Sequence, residues 1–268
     1  FSRQISETGV PLIYVNNVGI QNNGKTVYTF DGCSTVYNGS GEIVDRCPAF
    51  VEELRIIEMD PDGGFLGQPL PGEDDSGIGS IYKSLHYGIS KFLQAAGIEK
   101  VVIGVSGGID SAVSACLYHK VLDPERLLLV NMPSVYNSQT TKDLSARLAQ
   151  NLGCLYAIMP IQEVFEYTAR QIGETPIQNL GNGSRFNLTV SSFVQENIQA
   201  RDRSSRVLAG MAAAFGGGFA CNSNKSEMTV GYGTLYGDLA GFLAPLADLW
   251  KSQVYELAVF LNESIYCR

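Results

Sequence analysis

Val101-Val102-Ile103-Gly104-Val105-Ser106-Gly107-Gly108-Ile109-Asp110-Ser111 is the stretch on which the fold turns. Its apolar half reads as a buried strand, Lys100 to Val105. The strand ends in a Gly-rich turn that opens a helix, Asp110 to Lys120. Gly107 and Gly108 let the backbone approach a ligand and take conformations closed to other residues. The helix N-terminus then offers free N–H groups and partial positive charge to a phosphate. Ser106 and Ser111 add hydroxyl donors. Asp110 would repel a phosphate, so its place beside such a loop makes sense with Mg²⁺ between the two. The plainer alternative is a strand-to-helix turn with a serine cap and no ligand. No lysine follows the glycines, so this is not a Walker A loop, and GxGxxG is absent.

Outward from this stretch, strands and helices alternate. On the N-terminal side a helix carries Ile81, Leu85, Ile89 and Phe92 on one face and is closed by Gly97. On the C-terminal side Leu127 to Met132 and Cys154 to Met159 read as strands, with a further apolar strand near Phe219. Thr140 to Leu152, Gln162 to Ile172, a long segment from Val190 to Phe215, and Lys251 to Leu261 read as helices. This alternation predicts an α/β fold with right-handed crossovers and a doubly wound parallel sheet.

Residues 10 to 60 have a different texture, of short strands and tight turns. Pro11 to Val18 is a short apolar run. Asn22-Asn23-Gly24 and Asn38-Gly39 are hairpin signals. Leu54 to Met59 reads as one more strand. Pro61 to Gly79, with the acidic run Glu73-Asp74-Asp75, has the composition of a linker.

The formal net charge of -8 over 268 residues disfavours nonspecific nucleic-acid binding. The 45% hydrophobic and 17% charged fractions allow a real core. Six cysteines form no CxxC pair, and only His86 and His119 supply imidazoles. A Cys/His zinc site and a histidine-based triad are therefore disfavoured. Scattered cysteines, no signal-peptide pattern and no membrane-length apolar run predict reduced thiols in a cytoplasmic protein with no membrane partner.

Ser106-Gly107-Gly108-Ile109-Asp110-Ser111 after a buried strand resembles the PP-loop of the ATP pyrophosphatases, which cleave ATP between the α- and β-phosphates. Four further segments resemble NAD synthetase motifs, in the family's order: Glu196 to Arg203, Asn224 to Tyr232, Leu235-Tyr236-Gly237-Asp238, and Asp248 to Gln253. The resemblance runs from about Ser80 to the chain end. It implies an adenine-nucleotide α-hydrolase-like fold and a ligase that adenylates the nicotinate carboxylate of deamido-NAD. Ammonia then attacks the acyl-adenylate, giving NAD and AMP. It also implies ATP as co-substrate, Mg²⁺ as cofactor and a homo-oligomer.

Carried over residue by residue, the resemblance places pyrophosphate and ATP at Ser106, Gly107, Gly108, Asp110 and Ser111, with adenosine near Met132. It puts Mg²⁺ on Asp110 and Glu227, and makes Asp110, Glu227 and Lys225 the catalytic set. Phe193, Arg201, Asp238 and Lys251 would face deamido-NAD. Each has a plain counterpart: Phe193 and Met132 as core, the lysines as solvated charges. Arg201 and Arg203 point to different sides of a helix, so one of them is structural. The sequence departs from the family at Cys221-Asn222-Ser223, where Gly-Thr-Gly is common.

Residues 10 to 50 resemble the end of a nitrilase-like carbon–nitrogen hydrolase domain, through Pro11 to Gly19 and Phe30-Asp31-Gly32-Cys33-Ser34. The implied layout is residues 1–60 as the C-terminal part of a glutaminase domain, 61–79 as linker and 80–268 as the ATP-pyrophosphatase domain. Glutamine would then be the ammonia source of a longer native protein. Cys33 falls after the nucleophile's expected place and reads as a core thiol. The competing readings are another PP-loop enzyme such as a tRNA-modifying one, an ammonia-only NAD synthetase, and a non-catalytic nucleotide-binding module.

Overall fold

A computed structural model describes residues 1–24, 26–65, 67–71, 77–135 and 137–267. The chain divides into two compact units, Phe1–Ala95 and Ala96–Arg268.

The first unit holds α1 (Ser2–Thr8), β1 (Leu12–Tyr14), β2 (Val18–Asn22), β3 (Val27–Asp31), β4 (Thr35–Tyr37), β5 (Ile43–Arg46) and most of α2 (Ile78–Ala96). β1, β4 and β5 form an antiparallel sheet, and β2 pairs with β3. Both hairpin signals are borne out. In the first, the Asn22 side chain accepts from Gly24 N–H at 2.8 Å and Gly24 takes φ 84°. In the second, the left-handed residue is Gly41, at φ 80°. Its predecessor Asn38 accepts from the N–H groups of Ser40 and Glu42. Gly41 has a second constraint, since a Cβ there would lie 2.3 Å from the Ser2 carbonyl oxygen. α2 stops at Ala96, with Gly97 left-handed at φ 64°, as expected of a closing glycine.

The expected strand at Leu54–Met59 does not form. Met59 makes one isolated bridge to Phe65, while Leu54 and Ile56 are 92% and 90% exposed. An apolar run becomes a strand only where an edge is there to receive its backbone groups. The acidic run Glu73-Asp74-Asp75 lies outside the described residues.

The second unit contains β6 (Val101–Gly104), α3 (Ile109–His119), β7 (Leu127–Asn131), α4 (Gln139–Leu152), β8 (Leu155–Ile158) and α5 (Gln162–Glu174). A small hairpin of β9 (Pro176–Gln178) and β10 (Arg185–Asn187) follows. Then come α6 (Ser192–Arg201), a π-helical segment (Asp202–Leu208), α7 (Ala209–Phe215), β11 (Gly218–Phe219), α8 (Lys225–Val230), α9 (Lys251–Phe260) and a second π segment (Leu261–Ile265). The expected long helix from Val190 to Phe215 is one helical run from Ser192 with a π segment at its centre.

Four strands form a parallel sheet in the order β11-β6-β7-β8. Its central strand is apolar on both sides, and Val101, Val102 and Ile103 are fully buried. That pattern suits a parallel sheet covered by helices on both faces. On one face Val102, Val130 and Met132 pack with Val207, Leu208 and Ala212. Val101 and Ile103 point to the other face, where α3 lies against β6, β7, α4 and α9.

The chain leaves β6 toward β7 and β8, then returns to the opposite side of β6 as β11. The strand order therefore reverses between β6 and β11. In open α/β sheets, ligands bind outside the carboxyl ends of the strands at such a reversal.

Candidate active site

A cavity of about 670 Å³ opens at this reversal. Its floor is the carboxyl end of β6, through Gly104, Val105 and Ser106, and that of β11, through Ala220 and Asn222. Asn131 and Met132 close it beside β7, and Met132 also belongs to the core cluster beneath.

The loop between β6 and α3 is held by its own hydroxyls. Ser106 Oγ accepts from Gly108 N–H at 3.3 Å, and Ser111 Oγ donates to the Gly108 carbonyl at 3.0 Å. Of the two glycines only Gly107 needs to be glycine on backbone grounds, at φ 85°. A Cβ there would sit 2.4 Å from the Thr141 carbonyl oxygen, so Gly107 also lets the loop lie against α4. Gly108 takes an ordinary φ of −87° as the N-cap of α3. Ser106, Asp110 and Ser111 line the cavity, and Gly107 and Gly108 do not.

Asp110 occupies the first turn of α3. One of its oxygens accepts from Asn224 Nδ2 at 2.9 Å and the other is paired with Lys251 Nζ. Asn224 is fully buried and caps α8 in a reciprocal capping box. Its Oδ1 accepts from Glu227 N–H at 3.1 Å, and its own N–H donates to Glu227 Oε2 at 3.2 Å. One amide residue thus touches both acids expected to hold a metal. Lys225 stands outside the cavity lining, with its ammonium 5.0 Å from the Trp250 ring centroid. Lys251 reaches the cavity only through Asp110.

The far wall is a second hydrogen-bonded chain. Asn197 Nδ2 donates to the Phe193 carbonyl at 2.8 Å, and Thr234 Oγ1 donates to Asn197 Oδ1 at 3.0 Å. Thr234 N–H in turn donates to Asp238 Oδ1 at 2.8 Å. Phe193, Asn197, Thr234 and Asp238 all line the cavity. Phe193 is 72% exposed, which removes it from the core.

Arg201 lies outside the lining, and its guanidinium donates to the Leu235 carbonyl at 3.2 Å. Arg203 lines the cavity, and its guanidinium lies 3.4 Å from the Met132 carbonyl oxygen. Burial pushes the Arg203 pKa down. It is the only cation in the lining among the described residues.

Asn224, Asn131 and Asn222 carry weight here that sequence reasoning did not assign to them. Asn131 donates to the Val105 carbonyl at 2.7 Å and ties the phosphate loop to β7. Asn222 donates to the Gly104 carbonyl at 2.8 Å. The buried Oδ1 atoms of Asn131 and Asn222 have no protein partner. The signals were present: Asn224 precedes Glu227 by three positions, the capping-box spacing, and Asn131 interrupts an apolar strand.

No group of three His, Cys, Asp or Glu side chains able to hold a metal occurs among the described residues. No described helix is long and apolar enough to cross a membrane.

Comparison with known proteins agrees with this geometry. The NAD synthase family model matches residues 81–267. The glutamine-dependent NAD(+) synthetase of Synechocystis sp. is 36% identical over 97% of this chain and 44% of its own length. The Rhodobacter capsulatus protein of the same name is 34% identical over 97% of the chain and 45% of its own. The chain therefore spans less than half the length of these relatives. Among solved structures, the glutamine-dependent NAD+ synthetase of Acinetobacter baumannii, in complex with ADP, superposes with a TM-score of 0.81. It is 32% identical and matches over 98% of this chain and 47% of its own. The NH3-dependent enzyme of Campylobacter jejuni gives 0.60 at 30% identity, over 71% of this chain and 76% of its own. A parallel sheet with its cavity at the strand reversal, the paired acids above it and a family match over most of the second unit lead to one assignment: the chain belongs to the NAD synthase family.

Proposed function

We propose that the second unit is the ATP-dependent part of a glutamine-dependent NAD synthetase. It adenylates the nicotinate carboxylate of deamido-NAD, releases pyrophosphate, and passes the acyl-adenylate to ammonia to give NAD and AMP. One observation carries this reading most strongly. A Gly-rich loop at a helix N-terminus, two acids joined through Asn224, and a wall carrying Phe193 converge on one cavity of about 670 Å³.

The loop's share is to receive the pyrophosphate. Ser106, Gly108 and Ser111 present hydroxyl and backbone donors at the N-terminus of α3, where the helix carries partial positive charge. Adenosine lies along Met132 at the end of β7. Phe193 stacks on the nicotinate ring, with Asp238 and the Arg201-held loop around the rest of the dinucleotide. Lys251, paired with Asp110 at the cavity, supplies positive charge near the phosphates, and Lys225 would have to leave the Trp250 ring to do the same.

The donor set suits Mg²⁺. Asp110 and Glu227 are hard oxygen ligands on the cavity wall, linked through the buried Asn224, and Mg²⁺ commonly takes one or two carboxylates with phosphates and water. Asp110 and Glu227 would hold the ion where it would supply charge neutralisation for the departing pyrophosphate. The protein's part is to hold both acids in place and to exchange Lys251 off Asp110.

Residues 1–60 fit the C-terminal part of a nitrilase-like glutaminase domain, with 61–79 as linker and 80–268 as synthetase domain. In that layout glutamine is the source of ammonia. The test is to incubate the protein with ATP, Mg²⁺, ammonium and deamido-NAD and to separate the products. NAD, AMP and pyrophosphate in equal amounts support the reading. ADP as the main nucleotide product overturns it.

A further inference from the structure

Asn224 is fully buried between two acids that belong to different helices. Both ends of its amide are engaged: Nδ2 donates to Asp110 Oδ1 at 2.9 Å and Oδ1 accepts from Glu227 N–H at 3.1 Å. Its backbone N–H donates to Glu227 Oε2 at 3.2 Å.

These bonds do two separable jobs. The bond from Glu227 N–H caps α8, and any good capping residue could do that. Donation to Asp110 does nothing for α8. It fixes the rotamer of an acid on α3, 114 positions earlier in the chain. Aspartate would cap as well but cannot donate, and a serine hydroxyl, which can do both, is too short to reach Asp110 from the cap. The longer amide accepts at the cap with one end and donates to the carboxylate with the other. The residue type is therefore matched to the second job.

Asp110 has a second partner on its other oxygen, Lys251. With Nδ2 of Asn224 on one oxygen, the carboxylate plane stays set when the ammonium leaves. Glu227 is oriented by the same residue through the backbone N–H. Partners of this kind orient metal ligands, and losing one weakens metal binding by about ten- to a hundredfold.

We propose that Asn224 is a positioning residue that holds Asp110 and Glu227 in register for a divalent cation bound with the nucleotide. This rests on the metal reading above. The test uses Asn224→Ser, which keeps a cap acceptor but cannot reach Asp110, and Asn224→Ala, which loses both functions. Asn224→Gly, also tolerated at an N-cap, serves if the serine variant does not fold.

Mn²⁺ binding in the presence of ATP is followed by electron paramagnetic resonance, beside the melting temperature. The serine variant should melt close to wild type yet bind Mn²⁺ at least tenfold more weakly, and the alanine variant should match that metal loss while melting lower. Wild-type Mn²⁺ affinity in Asn224→Ser would reduce Asn224 to a cap and overturn the proposal. Failure of the wild-type protein itself to bind Mn²⁺ with ATP would overturn the metal reading beneath it.

Discussion

The ammonium of Lys251, at the start of α9, is paired with Oδ2 of Asp110, in the first turn of α3. The pair does not stand alone. Lys251 N–H donates to Ser226 Oγ at 3.0 Å, and Lys225 N–H donates to the Leu249 carbonyl at 2.9 Å. Three separate segments thus form one interlocked unit at the cavity: the Gly-rich loop, Asn224-Lys225-Ser226-Glu227 and Asp248-Leu249-Trp250-Lys251. In the free protein Lys251 stands where positive charge is needed beside Asp110.

Removing Asp110 separates chemistry from stability. Both side chains of the pair retain some solvent, 41% for Lys251 and 19% for Asp110, so the ion pair contributes little to folding. Asp110→Ala should cost about 1–3 kcal/mol of stability, from the buried Asn224 Nδ2 left without its acceptor, while turnover falls by orders of magnitude, corresponding to about 3–4 kcal/mol. Paired melting curves and NAD assays check this. Wild-type turnover would remove Asp110 from the mechanism.

Phe193 gives the complementary case. At 72% exposure it has little packing to lose, so Phe193→Ala should change stability by less than about 0.5 kcal/mol. If the ring stacks on nicotinate, the variant loses about 1 kcal/mol of affinity for deamido-NAD and keeps its affinity for ATP. Isothermal titration of each ligand separately decides it, and equal weakening for both ligands would refute the stacking role.

The α/β sheet was legible because its strands are short apolar runs and its helices have clear ends. Gly97, Gly153 and Gly216 close three helices in left-handed backbone. Glycine at such positions is readable without a structure. Leu54–Met59 was misread because periodicity reports what a segment could bury, not whether an edge is near. In the candidate site, the Gly-rich turn between β6 and α3 is readable as a local motif. The role of Asn224 is not, because its contact to Asp110 spans 114 positions and no local pattern encodes it. Asn222, at the departure from the family's Gly-Thr-Gly, spends its donor on Gly104 and leaves its acceptor unpartnered. The two halves of this amide are told apart by the fold around it, not by its neighbours in the chain.

Arg201 and Arg203 should differ in kind. Arg203 lines the cavity, so Arg203→Met removes a charged donor from it, at roughly 1.5–3 kcal/mol. Michaelis constants for ATP should rise about tenfold or more, and Arg203→Lys should recover part of the loss. Arg201 holds the Leu235 carbonyl from outside the lining, while Ser205 Oγ holds that of Tyr236 at 2.7 Å. Arg201→Met should therefore loosen this loop and raise the constant for deamido-NAD alone. Steady-state kinetics with each substrate varied in turn checks both. A larger effect on ATP from Arg201→Met would reverse the assignment.

Thiol chemistry yields the last prediction. Glutamine hydrolysis by a nitrilase-like domain needs a thiolate, and activated cysteines have pKa values lowered by nearby positive charge. The cysteines here that shift do so the other way. Burial, joined by Asp31, pushes the Cys33 thiol up, and burial also raises Cys221. Cys154 is pushed up to about 11, again mainly by burial. At pH 8 the Cys154 thiolate is then about a thousandth of the total. Folding favours the neutral thiol at these positions. For Cys154 that contribution to stability is full below about pH 9, the ordinary value, and is lost as pH rises toward 11. Urea midpoints should accordingly fall between pH 9 and 11, and Cys154→Ala should flatten that fall. Glutamate release from glutamine by residues 1–268 should stay at background at pH 8 and be the same in Cys33→Ala. Release above background that disappears in Cys33→Ala would make Cys33 a nucleophile despite its raised pKa.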